Sequence, residues 1–298
     1  MKASLPYPSL HDAPCPPTSR MSIFVLSLVL FAALLHASWN ALLKSSADPL
    51  GALAVMTIGS GLAALPLILY LPLPLPESWP YIALSAVLHT AYNLFLIRAY
   101  RIGDFSQSYP IARGSSPLLV TLGAALLVGE QMSWMTLLGV ILISVGIISL
   151  AHIKNRLHLA GPIAAFTTGA FIAAYTITDG LGARVAGSAL SYCGWLFVLD
   201  SVPLLLIYLR LHKRLPMAFG SKETWVALGG GLMSLLAYGI VIWAVTLAPM
   251  GTVSALRETS VLFAALIGWL FLGEKLSMRR ILSCLLITVG AIILGLHL

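Results

Sequence analysis

Polar residues break this chain so seldom that its pattern is long apolar runs separated by short polar gaps. Ten runs stand out, at roughly residues 21–43, 50–71, 79–100, 104–127, 132–151, 159–178, 188–209, 223–246, 250–272 and 278–297. Each approaches the ~20 residues that a helix needs to cross the hydrocarbon core of a bilayer. A lone segment in lipid satisfies its backbone only as a helix, so each run predicts one. Pro72, Pro74 and Pro76 punctuate the second gap, and Asp179-Gly180 and Pro216 mark later ones. Trp79, Tyr81, Trp134 and Trp225 fall at run ends, where aromatic belts form at the lipid–water boundary. The pattern predicts an all-α polytopic membrane protein with ten transmembrane helices.

The runs carry an internal echo. An offset of 144 residues maps Arg113 onto Arg257, Gly129-Glu130 onto Gly273-Glu274, Ser133 onto Ser277, Leu138 onto Leu282 and Val145-Gly146 onto Val289-Gly290. Coincidences this numerous at one offset indicate a duplication. Ten helices then divide into two repeats of five, residues 21–151 and 152–298. An odd number of spans per repeat makes the second copy enter the bilayer from the opposite side, so the repeats are expected to be inverted. Self-similarity of this kind in an apolar chain points to a secondary transporter with its site between the repeats. The small residues Gly139, Gly146, Gly229-Gly230-Gly231, Gly290 and Gly295 are expected to let helices approach closely.

Composition narrows the class. Hydrophobic residues make up 59% of the chain and charged residues 9%, against about 25% charged in soluble domains. No stretch remains for a soluble domain. The net charge of +7 comes from basic residues scattered through short loops, which suits topology signals and not a nucleic-acid surface. Cys15, Cys193 and Cys284 have no metal-type spacing, and neither a metal nor a cofactor is expected. Residues 1–20, with Pro6, Pro8, Pro14, Pro16 and Pro17 and no apolar run, read as a disordered tail, and Met21 is a candidate start of translation.

Charges inside the runs carry the functional signal. An arginine at a helix centre costs about 2.5–3.5 kcal/mol on insertion scales, so Arg113, Arg257, Glu258 and Asp200 together cost roughly 10 kcal/mol unless partners or water compensate. Arg113 and Arg257 each sit about 10–15 Å along their helices. With the helices entering from opposite faces, they converge on the midplane. Their planar forks of donors suit a carboxylate, phosphate or phosphonate. A structural pair is the competing reading, with Glu258 neutralising Arg113; Arg257 and Glu258, about 100° apart around a helix, are not expected to pair well with each other. Further candidates are His36, Trp39 and Asn40 in the first helix, Tyr92 and Asn93 in the third, Tyr175 in the sixth and Tyr238 in the eighth. Lys44 and Asp179, near run ends, are expected to reach the interface. Glu258, Asp200 and His36 are the candidates for coupling to protons.

Several stretches resemble the EamA family of the drug/metabolite transporter superfamily: His36-Ala-Ser-Trp-Asn-Ala-Leu-Leu-Lys44, Tyr109-Pro-Ile-Ala-Arg113, Gly129-Glu130, Ala255-Leu-Arg-Glu258 and Gly273-Glu274. The resemblance covers residues 21–298 and brings Tyr109 into the candidate site beside Arg113. It implies ten helices in two inverted repeats and a central cavity lined by helices 1, 3, 4, 6, 8 and 9. It also implies alternating access for small organic metabolites, often exported.

The leading expectation is a secondary transporter in a bacterial inner membrane, moving a small solute with an anionic group by export or proton-coupled exchange. No Walker-type phosphate loop is present to use ATP directly. A flippase of a lipid-linked intermediate is the alternative. An intramembrane enzyme is disfavoured, because Arg101-Ile-Gly-Asp104 and Thr57-Ile-Gly-Ser-Gly61 miss the usual protease motifs. The expected partners are the solute, the bilayer and protons, with no nucleic acid and the oligomeric state open. Odd-numbered loops and their span ends hold twelve basic residues and the other side only Lys2, Arg20 and Arg184. The positive-inside rule therefore places both termini outside the cytoplasm, whereas the resemblance implies the opposite, since related transporters are commonly described with both termini inside.

Overall fold

The computed structural model describes residues 21–44, 46, 48–102, 105–151, 160–213, 215–217, 220–272 and 277–296. The expected tail, Cys15, Asp104, the Gly273-Glu274 pair and the loop residues Lys154, Arg156, Arg214 and Lys275 lie outside them, as do the side chains of Lys44 and Arg101. The described residues are mostly helical, in the order α1 (Ile23–Lys44), α2 (Pro49–Tyr70), α3 (Trp79–Ile102), α4 (Phe105–Gly123), α5 (Trp134–Ile148), α6 (Ala160–Val185), α7 (Ala189–His212), α8 (Lys222–Ala244), α9 (Met250–Arg257), α10 (Ser260–Leu272) and α11 (Met278–Leu296). Among the described residues nine candidate spans emerge, and the apolar α5 is shorter.

Polar residues in the gaps set where helices begin. Asp48, Ser133, Ser188 and Ser221 each accept a backbone hydrogen bond from three residues on, starting α2, α5, α7 and α8, which satisfies one of the donors that a helix start leaves open. Gly129 ends the fourth span at φ +73°, a conformation that glycine adopts without a Cβ clash. Before it the helix widens into a π-turn over Ala124–Val128.

Three expectations about the spans change. The sixth does not stop at residue 178: α6 runs to Val185, and Asp179-Gly180 lies inside it. Asp179 need not reach the interface because two tyrosine hydroxyls donate to its carboxylate in the interior. The ninth is not continuous, since at Glu258 and Thr259 the backbone bonds shorten to three-residue turns, Glu258 to Ala255 and Thr259 to Leu256. Arg257 therefore closes one helix and α10 starts beyond it. The aromatic residues at run ends divide too: Trp134 and Trp225 are exposed, whereas Trp79 packs edge-on against Trp195 at 5.0 Å.

Packing follows the duplication. α3 packs on α6 and α1 on α8; α2 packs on α8 and α3 on α7; α4 packs on α6 and α1 on α9 and α10. Exchanging the first five helices with the rest turns each pairing into its mate. α2 with α7, α5 with α11 and α4 with α9 are their own mates. At the α5–α11 crossing a Cβ on Gly290 would lie 2.8 Å from the carbonyl oxygen of Gly139, so glycine is what permits this approach. No such constraint holds at Gly229, where a Cβ would meet nothing within 4 Å, nor at Gly295, where it would only touch Leu26.

The described gap contacts join odd-numbered gaps to odd-numbered ones, as one group, and even-numbered gaps to even-numbered ones, as another. The Asp48 carboxylate accepts from the Tyr208 hydroxyl near the end of α7, at 3.3 Å. Arg279 at the start of α11 donates to the carbonyls of Ser149 and Ala151 after α5. These join the first gap with the seventh and the fifth with the ninth. In the other group, Leu75 donates to the Ala186 carbonyl, and Arg184, Glu130, Val245 and Met250 form one cluster. Those contacts join the second gap with the sixth, and the fourth with the eighth.

Candidate functional site

Three charged side chains meet where α4 crosses α9. Nε of Arg113 lies 2.7 Å from Oε2 of Glu258 as an ion pair outside hydrogen-bond geometry, and Nη2 of Arg257 donates to Oε1 at 3.5 Å. Arg113 and Arg257 are each 3% exposed, and Glu258 is fully buried. The neighbours Arg257 and Glu258 do make a contact, against expectation, at the point where α9 ends and the backbone bonds shorten to three-residue turns. One carboxylate thus serves two guanidiniums, leaving a surplus positive charge within this cluster. Nη2 of Arg113 and Nε of Arg257 have no hydrogen-bond partner.

Arg257 also lines a cavity between the helices. Its Cζ sits 5.9 Å from the centroid of the Tyr238 ring, within reach of a cation–π attraction. Of the sequence candidates, the cavity brings together His36, Trp39, Tyr92, Asn93, Tyr175, Tyr238, Asp200 and Arg257. His36 and Trp39 stack edge-to-face at 5.0 Å. Tyr175 packs edge-on against both Tyr92 and Tyr238.

Four candidates lie elsewhere. Asn40 donates within its own helix to the His36 carbonyl at 2.8 Å. Tyr109 packs against the core around Val120 and Leu256. Arg113 and Glu258 sit behind Arg257 and do not line the cavity. The expected wall from helix 4 is therefore missing, and α2 and α7 line the cavity instead through Met56, Thr57, Ser60, Phe197 and Asp200.

Two features escaped the sequence reading. The first is His89 on α3, which lines the cavity, stacks on Tyr175 at 4.0 Å and contacts Ser85 through Nδ1 at 3.1 Å. Its spacing of three residues from Tyr92 places both on one helix face, and that signal could have found it. The second is the Arg184 cluster. Arg184 contacts Glu130 at 2.6 Å and donates twice to the Val245 carbonyl at the end of α8. Glu130 also accepts from the Met250 backbone N–H at 2.9 Å, where α9 begins. An acid at a helix start and a cation at a helix end both complement the helix dipole. Counted as a loop cation, Arg184 instead has its side chain held in this cluster, 7% exposed.

Comparison with known proteins fits this architecture. A solved structure described only as "Crystal structure of protein" superposes with a TM-score of 0.70 at 18% identity, covering 93% of this chain and 98% of its own; the likeness is one of fold. No curated protein matches the chain. The family model of the EamA-like transporter family matches residues 22–151 and matches again over residues 159–296. With both halves matched and apolar helices throughout, this multi-pass membrane protein belongs to the EamA-like transporter family.

Proposed function

We propose that the protein is a secondary active transporter of a small organic solute bearing an anionic group, working by alternating access in a bacterial inner membrane. The observation that carries this reading is the two-to-one ratio of buried arginines to glutamate, with Arg257 facing the cavity. A buried charge without compensation is costly, so an anion entering beside Arg257 would complete the neutralisation that Glu258 begins. The aromatic lining offers flat apolar surface for the rest of the solute. The break between α9 and α10 beside Arg257 suits this role, since transporters bind solutes where helices are discontinuous.

The repeats are proposed to be inverted, as ten spans in two sets of five. In support, the packing pairs survive exchange of the halves. The two groups of gap contacts also fit an α4 and an α9 that traverse the bilayer in opposite directions. Export or exchange then follows from the two halves rocking about the cavity.

The test is flux into liposomes containing the purified protein, using labelled carboxylates, phosphates and phosphonates as separate probes. Saturable flux of at least one probe, weakened by Arg257→Gln, is expected. Equal flux from the Arg257→Gln protein at matched insertion would reject the proposed site. Headgroup inversion measured in the same liposomes distinguishes lipid flipping.

A further inference from the structure

Of the buried carboxylates in this interior, Glu130 has Arg184 beside it, and Glu258 has Arg113 and Arg257. Asp179 has neither arginine nor lysine among the described residues, although it is 1% exposed. It is held by neutral donors. The Tyr192 hydroxyl donates to Oδ1 at 2.9 Å and the Tyr238 hydroxyl to Oδ2 at 2.5 Å. A buried carboxylate with a fixed cation stays charged, whereas one that depends on hydroxyls and an imidazole can change its charge at modest cost.

The groups facing Asp179 come from several helices. α3 contributes His89 and Ser85, α7 contributes Tyr192, Cys193 and Asp200, and α8 contributes Tyr238. Tyr175 approaches from its own helix. The charges on α4 and α9, Arg113, Arg257 and Glu258, form their separate cluster and make no described hydrogen bond to Asp179. His89, Asp200 and Tyr238 line the cavity, which gives a proton access from it.

We infer that Asp179 is a proton-binding site, and that Tyr238 links it to the solute site by donating to Asp179 while its ring faces Arg257. The inference rests on the transport reading only for that link. Glu258, by contrast, is already committed to ion pairs with two guanidiniums. A metal ion fits worse than a proton. Both Asp179 oxygens already accept hydrogen bonds, and no group of three His, Cys, Asp or Glu side chains among the described residues is placed to hold a metal. When the proton leaves, Asp179 becomes an anion within one tyrosine of Arg257. The charge felt at the solute site then changes without any contact between proton and solute.

The test is the infrared difference spectrum of the purified protein in lipid nanodiscs, titrated with pH and with no solute present. The expected result is a carboxyl C=O band that titrates in the wild type, persists in Glu258→Gln and is absent in Asp179→Asn. Tyr238→Phe removes a hydrogen bond to the charged form, so its midpoint should move toward alkaline pH by about one to two units. If Asp179→Asn does not insert stably, Tyr238→Phe decides, because it keeps the acid and the ring; an unmoved midpoint overturns the assignment. The proposal also falls if the band survives in Asp179→Asn and is lost in Asp200→Asn, or if sodium at fixed pH produces the same change. Because no solute is added, a missing band counts against this site alone, and failed flux with an intact band counts against the transport reading alone.

Discussion

Arg184 on α6 and Glu130, just past the π-turn that ends the fourth span, meet at 2.6 Å across 54 residues of sequence. Together they tie three chain ends: the end of the fourth span, the Val245 carbonyl after α8 and the Met250 N–H opening α9. Arg184→Leu leaves Glu130 buried without its cation, and Glu130→Gln does the converse. Breaking a buried pair from one side costs about 3–5 kcal/mol. Thermal unfolding in detergent should therefore fall sharply for each single variant. The double variant should lose clearly less than the sum, because residues acting as one unit are not additive. Additive losses would mean that the contact is not such a unit.

Arg257 and Arg113 share Glu258 but differ in exposure to the cavity. Arg257→Gln should weaken solute affinity about ten- to hundredfold, the worth of a hydrogen bond to a charged group. Arg257→Lys should weaken it less, since the charge stays and only the planar fork is lost. Arg113→Gln should act mainly on stability. Flux titrations at matched protein insertion compare the three, and a larger affinity loss from Arg113→Gln would reverse the assignment.

Removing the shared acid is a separate matter. Glu258→Gln leaves two guanidiniums with no counter-charge, so the empty protein should unfold at a lower temperature. A bound anion stabilises by mass action. Added organic anions should therefore raise the melting temperature of Glu258→Gln more than that of the wild type. Equal response to anions would show that the surplus charge does not govern binding.

Packing separates two glycines that look alike in sequence. Gly290→Val drives side-chain atoms against the Gly139 carbonyl and Ile143. Overpacking of this kind costs about 1–3 kcal/mol. Gly229→Ala meets nothing within 4 Å and should be neutral or mildly stabilising. Thermal unfolding of the two variants side by side checks the contrast.

The basic-residue asymmetry makes a prediction about orientation. With the Arg184 side chain held against Glu130, the basic residues on the poorer side shrink to Lys2 and Arg20. Both termini should therefore lie outside the cytoplasm. A reporter active only in the cytoplasm, fused after Leu298, should stay silent.

The apolar runs by themselves determined an all-helical membrane protein, and the 144-residue echo determined two related halves. Both follow from local rules. Lipid forces each run into a helix regardless of its neighbours, and a duplication is written in spacing alone. The sequence also marked Arg113, Arg257 and Glu258 as costly charges that needed partners. Which partner each took was a tertiary decision. Arg257 lines the cavity and also contacts the shared carboxylate, directly before the break at Glu258 and Thr259. Asp179 read as the end of a span because a lone acid in lipid is expensive. It lies inside α6 because Tyr192 and Tyr238, 13 and 59 residues away, bring hydroxyls to it. The Glu130–Arg184 pair was equally hidden, since a repeated Gly-Glu tells nothing of a cation on another helix. Compensation of a buried charge depends on distance in space, and a single sequence records only distance along the chain.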